Sequence, residues 1–285
     1  METESNSTGV DTETHEIETI ALTEEHMVEA ALPEDAAHES GIHVAISAEK
    51  LGTFYGFPIT NTIVASSVVF IVLVILAVLV GKRLKMIPGR LQSVFEHMVE
   101  GVYDYVAETL ESRDMARKFF PLIITIFLFI WLSNLMEFLP GMGSILYDGL
   151  PLFRSVNTDL NTPLALALIS FFVIEITGIL TIGIAKYGSK FLVNPFKDAV
   201  GFAVGLIELI GEMVRVVSLS FRLFGNILAG EVVLAVATYF VPYILPVPLM
   251  LFEIFIGTLQ AAIFALLTLF FIKLAITEPH GQEAH

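Results

Sequence analysis

One arginine stands inside a run that is otherwise apolar enough to be a membrane helix. Arg222 lies within Val214–Glu231, among Leu219, Phe221, Leu223, Phe224, Ile227 and Leu228. A guanidinium keeps its charge in any protein setting. Holding one at mid-bilayer costs about 2.5–3.5 kcal/mol on insertion scales, and more by other estimates. A residue kept at that cost points to function, with a partner that is anionic at least part of the time. No acid sits three or four positions from Arg222, so its counter-charge must come from another helix or another chain.

Other polar residues share its helix. At 100° per residue, Glu208, Glu212, Arg215, Arg222 and Asn226 fall within an arc about 80° wide, with Ser218 at its edge. Glu231 lies off that stripe. Glu208 and Glu212 are placed to form a salt-bridge ladder with Arg215. The last apolar run carries Glu253 and Gln260, seven apart and so on one face. Asn134 and Glu137 sit three apart near the end of an earlier run, and Glu175 lies mid-way along another. A carboxyl in such surroundings can hold or release a proton near neutral pH, as a proton relay requires. Glu137 is close enough to the interface for simple solvation, Glu253 could instead merely pair with a buried partner, and Glu175 is costlier and harder to explain that way. Gly225, Gly230 and Gly257 remove bulk near the charged centre, for helix approach or for ordinary packing.

The elements that must position these groups are membrane spans. Of 285 residues, 55% are hydrophobic, and mean hydropathy is +0.78. Several apolar stretches exceed 18 residues, which predicts an all-α, polytopic membrane protein. Five spans are expected: about 60–80, 119–139, 162–185, a long segment from Ala199 to about Tyr239, and about 248–276. The long segment exceeds the bilayer thickness and so should tilt steeply, forming a hairpin with the last span across Pro242, Pro246 and Pro248. Apolar positions at helical spacing through 89–112 predict an amphipathic surface helix. Residues 1–55 form an acidic tail that reads as disordered, 56–278 the membrane domain, and 279–285 a short C-terminal tail. Residues 1–60 hold 13 acids and one base, Lys50. The tail's His15, His26, His38 and His43 lack tight metal-ligand spacing, so no metal is expected. There is no cysteine, which excludes disulfides and thiolate chemistry. No basic surface suggests nucleic acid. Seven Lys/Arg join the first two spans and three join the third and fourth, whereas the second and third are joined by Arg154 alone. The basic loops should be cytoplasmic, with the N-terminus outside and the C-terminus inside.

Ser218-Leu-Ser-Phe-Arg-Leu-Phe-Gly-Asn-Ile-Leu-Ala-Gly-Glu231 closely resembles subunit a of the F-type ATP synthases. The resemblance extends through Thr258-Leu-Gln-Ala-Ala-Ile-Phe264, Asn134-Leu-Met-Glu-Phe-Leu-Pro140 and Thr158-Asp-Leu-Asn-Thr162, covering roughly 55–276. It implies that Arg222 is the stator arginine facing a rotating ring of c subunits. Protons would reach and leave that ring through two offset half-channels. Asn226, Glu231, Glu253 and Gln260 match the outer route, Asn134, Glu137 and Asp159 its entrance, and Ser218 and Glu208 the inner route. The family often carries a histidine at one of the positions of Glu231 and Glu253. Both are glutamates here, so either can carry the proton. The resemblance further implies a b-subunit peripheral stalk as partner, no cofactor, no catalysis by this chain alone, and a bacterial plasma membrane, with an organellar inner membrane as the alternative. No phosphate-binding Gly-x-x-x-x-Gly-Lys-Ser/Thr run is present, so nucleotide chemistry belongs elsewhere. Protons are expected rather than sodium, since no sodium ligands stand out. Two other readings use the same charges: a self-contained channel or proton-coupled transporter, and a scaffold whose charges only pair helices. No inverted repeat is visible, which counts against many transporters.

Overall fold

A computed structural model describes residues 48–54, 56–83, 89–139, 145–147, 149–191 and 199–277. The acidic tail with its four histidines lies outside the described residues except for 48–54, and the 279–285 tail lies wholly outside them. The chain begins with a ribbon, β1 (Lys50–Phe54) paired antiparallel with β2 (Phe57–Thr60). Gly56 turns it with φ +85, a backbone region that favours glycine. β1 thus occupies the end of the segment expected to be tail.

Seven α-helices follow among the described residues: α1 (Asn61–Arg83), α2 (Arg90–Leu110), α3 (Arg113–Met136), α4 (Asn161–Ile182), α5 (Ile184–Phe191), α6 (Ala199–Phe240) and α7 (Pro246–Ile276). Four of them, α1, α3, α4 and α7, are long and apolar enough to cross a membrane by length and composition. α6 supplies the remaining expected span. At 42 residues it is about 63 Å long, and Glu208, Glu212, Arg215, Arg222 and Glu231 interrupt its apolar character. The loop expected between the second and third spans contains structure of its own: a short ribbon, β3 (Leu146–Tyr147) with β4 (Leu150–Pro151), and one 3₁₀ turn at Val156–Thr158. The next expected loop holds α5. Gly183, at φ +93, lets the chain reverse after α4, and α5 lays Tyr187 over Gly178. A Cβ at Gly178 would overlap the Tyr187 ring.

In lipid, burying apolar surface between helices gains little over leaving it in acyl chains. Close van der Waals packing therefore decides which faces meet. α7 presents small residues every fourth position, Gly257, Ala261 and Ala265, all buried. α3 packs on α7, with Ile126, Ile130, Ala261, Phe264, Leu219 and Leu223 in one cluster at the centre of the bundle. The amphipathic α2 is tied in at its C-terminal end, where Val106 and Leu110 are buried against α3 and α7. Its Met98, Val102 and Tyr105 stay exposed, as expected of a helix at a bilayer surface. Glu111 caps α2 in the left-handed region, and Ser112 caps α3 by accepting from the Met115 N–H at 3.3 Å. Lys273 of α7 donates to Glu111 at 2.6 Å, which holds that exposed carboxyl below its ordinary pKa by a hydrogen bond and by charge.

Polar pairs lock the end of the bundle nearest the 3₁₀ turn. Asn134 donates to the Gly257 carbonyl at 2.9 Å, and Asn157 donates to the Asn134 side-chain oxygen at 2.6 Å. All of this is buried, and a Cβ at Gly257 would approach Asn134 Cβ to 3.3 Å. Replacing Asn134 by Leu leaves the buried Asn157 amide without its partner. The expected loss is about 1–3 kcal/mol of stability, read as a lower thermal midpoint of the detergent-solubilised protein.

Candidate functional site

The polar residues fall into two groups on either side of Arg222. Toward the 3₁₀ turn, four ionisable side chains approach one another. Arg154 follows β4 and is only 9% exposed. Its guanidinium lies 3.7 Å from Glu231 Oε2, an ion pair longer than a hydrogen bond. Glu253, on α7, is 7% exposed, and neither of its oxygens has a hydrogen-bond partner among the described residues. Glu137, at the end of α3, is in electrostatic range of both Glu253 and Glu231. Gly230 makes room for this arrangement: a Cβ there would overlap the Glu253 carboxyl. Glu231 and Glu137 thus share one guanidinium, with Glu253 beside them. Gln260, two turns along α7 from Glu253, is buried, and its amide nitrogen has no partner among the described residues.

Asp159 is held differently. Its carboxylate accepts from the Thr62 hydroxyl at 3.2 Å and from the Asn161 backbone and side-chain nitrogens at 3.1 and 2.8 Å. These bonds pin the loop after the 3₁₀ turn to α1 and to the start of α4. Asn134 is likewise committed to helix packing, although it stands beside the acid cluster through Gly257.

The second group surrounds a partly open cavity of about 160 Å³ lined by Tyr187, Glu208, Glu212, Arg215 and Phe271, among others. Glu212 and Arg215 form the short ion pair expected of a ladder, and the Arg215 guanidinium also sits 3.9 Å over the Phe271 ring. Tyr187 donates its hydroxyl to Glu175 Oε2 at 2.9 Å, while Glu175 Oε1 is buried with no partner among the described residues. Burial and the Glu175 bond push the Tyr187 phenol well above its ordinary pKa, so it stays protonated.

Arg222 belongs to neither group. It is exposed and forms no ion pair among the described residues. The stripe read from sequence therefore straddles a boundary. The packed face of α6 runs through Leu219, Leu223 and Ile227, and Arg222 lies about 100° round the helix from its centre. Glu212, on the other side of the stripe, turns inward and is buried. Arg222 shares the open face with Val214, Val217, Ser218, Phe221 and Gly225, and nothing lies within 4 Å of a Cβ built at Gly225. Asn226 sits half-buried between the two faces. Along α6, Arg222 is ten residues from Glu212 and nine from Glu231, about 15 and 14 Å.

Two contributors escape a reading by motif. Arg154 counts in sequence only as the lone base of an outer loop. Tyr187 sits in what reads as a connecting loop, although its four-residue spacing from Phe191, now an edge-on pair at 5.6 Å, is a helical signal.

Comparison with known proteins gives one consistent answer. The profile of the family described as ATP synthase A chain matches residues 63–273. A protein of Geotalea daltonii is 33% identical over 210 residues, covering 73% of this chain and 84% of its own. One of Moorella thermoacetica is 34% identical over 216 residues, covering 75% and 90%. One of Sulfurihydrogenibium is 34% identical over 217 residues, covering 76% and 97%. Each of these relatives is an ATP synthase subunit a.

Proposed function

The chain belongs to the ATP synthase A chain family, and on that premise we propose that it carries protons to and from the c ring of an F-type ATP synthase. It works as the stator half of a rotary motor, in two half-channels that meet at Arg222. The observation that supports this most is the exposure of Arg222, in a long and largely apolar helix, on a face with no acid among the described residues paired with it. An uncompensated guanidinium facing lipid is costly, and a ring of carboxylates passing that face supplies the missing charge in turn.

The outer half-channel runs through Glu137, Glu231 and Glu253 beside Arg154, with Asn134 and Asp159 holding its walls, and reaches the ring past Asn226 and Gln260. The inner half-channel leaves by Ser218 and Glu208 into the cavity beside Glu212 and Arg215, near Glu175. A ring carboxyl protonated from the outer acids rotates away. After a nearly full turn it approaches Arg222 from the inner side and loses its proton there, since the fixed cation favours its charged form. A guanidinium cannot deprotonate, so it cannot itself hand a proton across, and the half-channels stay separate. The membrane potential supplies about 2.3 kcal/mol per charge per 100 mV, so several protons pass per ATP. Nucleotide chemistry lies with other subunits, the b-subunit stalk anchors the chain against rotation, and the setting is a bacterial plasma membrane. The α6–α7 hairpin lies steeply tilted along the ring, the N-terminus is outside and the C-terminus cytoplasmic.

The alternative of a self-contained channel makes a different prediction. Reconstituted alone in proteoliposomes under an imposed potential, the chain should conduct protons no faster than protein-free vesicles. Restoring the ring and the remaining membrane subunits should restore flux. Robust flux through the chain alone would overturn the stator reading.

A further inference from the structure

We propose that Tyr187 is a proton-passing residue of the inner half-channel, linking the Glu175 carboxyl to the cavity beside Glu212 and Arg215. This rests on the stator reading above and extends it to a residue outside the spans and their motifs.

Four observations converge on this phenol. Tyr187 is 5% exposed, held by a glycine-enabled reversal at Gly183 and seated on Gly178. Its hydroxyl donates to Glu175 Oε2, and the second Glu175 oxygen is buried with no hydrogen-bond partner among the described residues. Tyr187 forms part of the cavity wall together with Glu208 and Glu212. The cavity, at about 160 Å³, has Glu208, Glu212 and Arg215 on an otherwise largely apolar wall, and its volume is large enough for several waters. A phenylalanine would fill the same packing site. The hydroxyl adds a hydrogen bond that ties Glu175 to a residue lining the cavity.

The transfer balances at each atom. When Glu175 is protonated, its proton passes to the phenol oxygen as the phenol's own proton passes to a cavity water. One O–H bond forms and one breaks at that oxygen, and the phenol ends neutral. The reverse step takes a proton from a hydronium in the cavity and delivers it to the Glu175 carboxylate. Glu175 thus acts as a proton store beside the exit, filled and emptied through Tyr187, so that release from the ring need not wait for exchange with bulk water.

The test uses the assembled synthase in inverted membrane vesicles, reading ATP-driven acidification in H₂O and in D₂O. Tyr187→Phe keeps the ring on Gly178 and removes the hydroxyl. It should slow pumping by about threefold to tenfold, with a changed solvent isotope effect and unchanged subunit content. Glu175→Gln should give the same loss, and the double variant should be no slower than either single one, the mark of two residues acting as a unit. Gly178→Ala, which displaces the ring, should slow pumping as well. Wild-type rate and isotope effect in Tyr187→Phe would overturn the proposal, as would losses that simply add in the double variant. Arg222→Ala, run in parallel, separates the two levels. Pumping that survives in Arg222→Ala brings down the stator reading and this proposal with it. Pumping abolished there but untouched in Tyr187→Phe brings down this proposal alone.

Discussion

Arg222→Ala should abolish ATP-driven proton pumping, by at least about a hundredfold, while the complex still assembles. The scale follows from one preorganised charge acting where water is excluded. At an effective dielectric of about 20, a guanidinium 4 Å from a carboxylate contributes about 4 kcal/mol, equivalent to about three pKa units. On the proposed mechanism, a ring carboxyl beside α6 would then have no reason to give up its proton on the inner side, and the fixed charge separating the two proposed half-channels would be gone. Assembly should persist because Arg222 is exposed and makes no ion pair with the described residues of its own chain. Its removal leaves no buried acid uncompensated. Arg222→Lys should recover little, because an ammonium can lose its proton in such a setting and lacks the planar fork. The measurement is acidification of inverted vesicles set beside subunit content of the purified complex. Failure to assemble would favour a scaffold whose charges only pair helices.

Gly230→Ala should lower coupled flux by about ten- to hundredfold while the chain still folds. The added methyl would overlap the terminal carboxyl of Glu253 rather than backbone, so the side chain can yield without unpacking α6 from α7. What it cannot keep is its place. Displacing a proton-carrying carboxyl by about 1 Å is enough for losses of that size. The Arg154–Glu231 pair beside it would then face a different charge distribution. A paired Gly230→Ala and Glu253→Asp variant, with a shorter side chain, should recover part of the flux. If Gly230→Ala alone pumps at the wild-type rate, Glu253 is not on the proton path and Glu231 carries it.

Much of this arrangement is legible in the sequence because it is written within single helices. The absence of an acid three or four residues from Arg222 identifies a guanidinium without an in-helix partner, and the fold places it on an open face. The Glu212–Arg215 ladder follows from their three-residue spacing, and the α6–α7 turn follows from its prolines. What sequence does not reveal is pairing across long separations. Arg154 reaches Glu231 from 77 positions away. Asn134 meets Gly257 across 123. Thr62 meets Asp159 across 97, so that Asp159, read as a channel-entrance residue, also serves as a tether between α1 and α4. The small elements are hidden for a related reason. β1 and β2 depend on one turn at Gly56, and α5 on the reversal at Gly183, and neither glycine differs in sequence from the many that only ease helix contact.

The central claim is that the face of α6 carrying Arg222 meets the carboxylates of another, moving subunit. The chain has no cysteine of its own, which makes disulfide mapping clean. Phe221→Cys and Gly225→Cys lie on the exposed face, and Leu223→Cys and Ile227→Cys on the buried one. Each would be oxidised in membranes against a cysteine introduced beside the carboxylate of the ring subunit. Disulfides form only when Cα atoms approach within about 7 Å. The account predicts cross-links, and blocked rotation, from the first pair and none from the second. Cross-links confined to the buried pair, or an Arg222 side chain found bonded to a glutamate of its own chain, would contradict it.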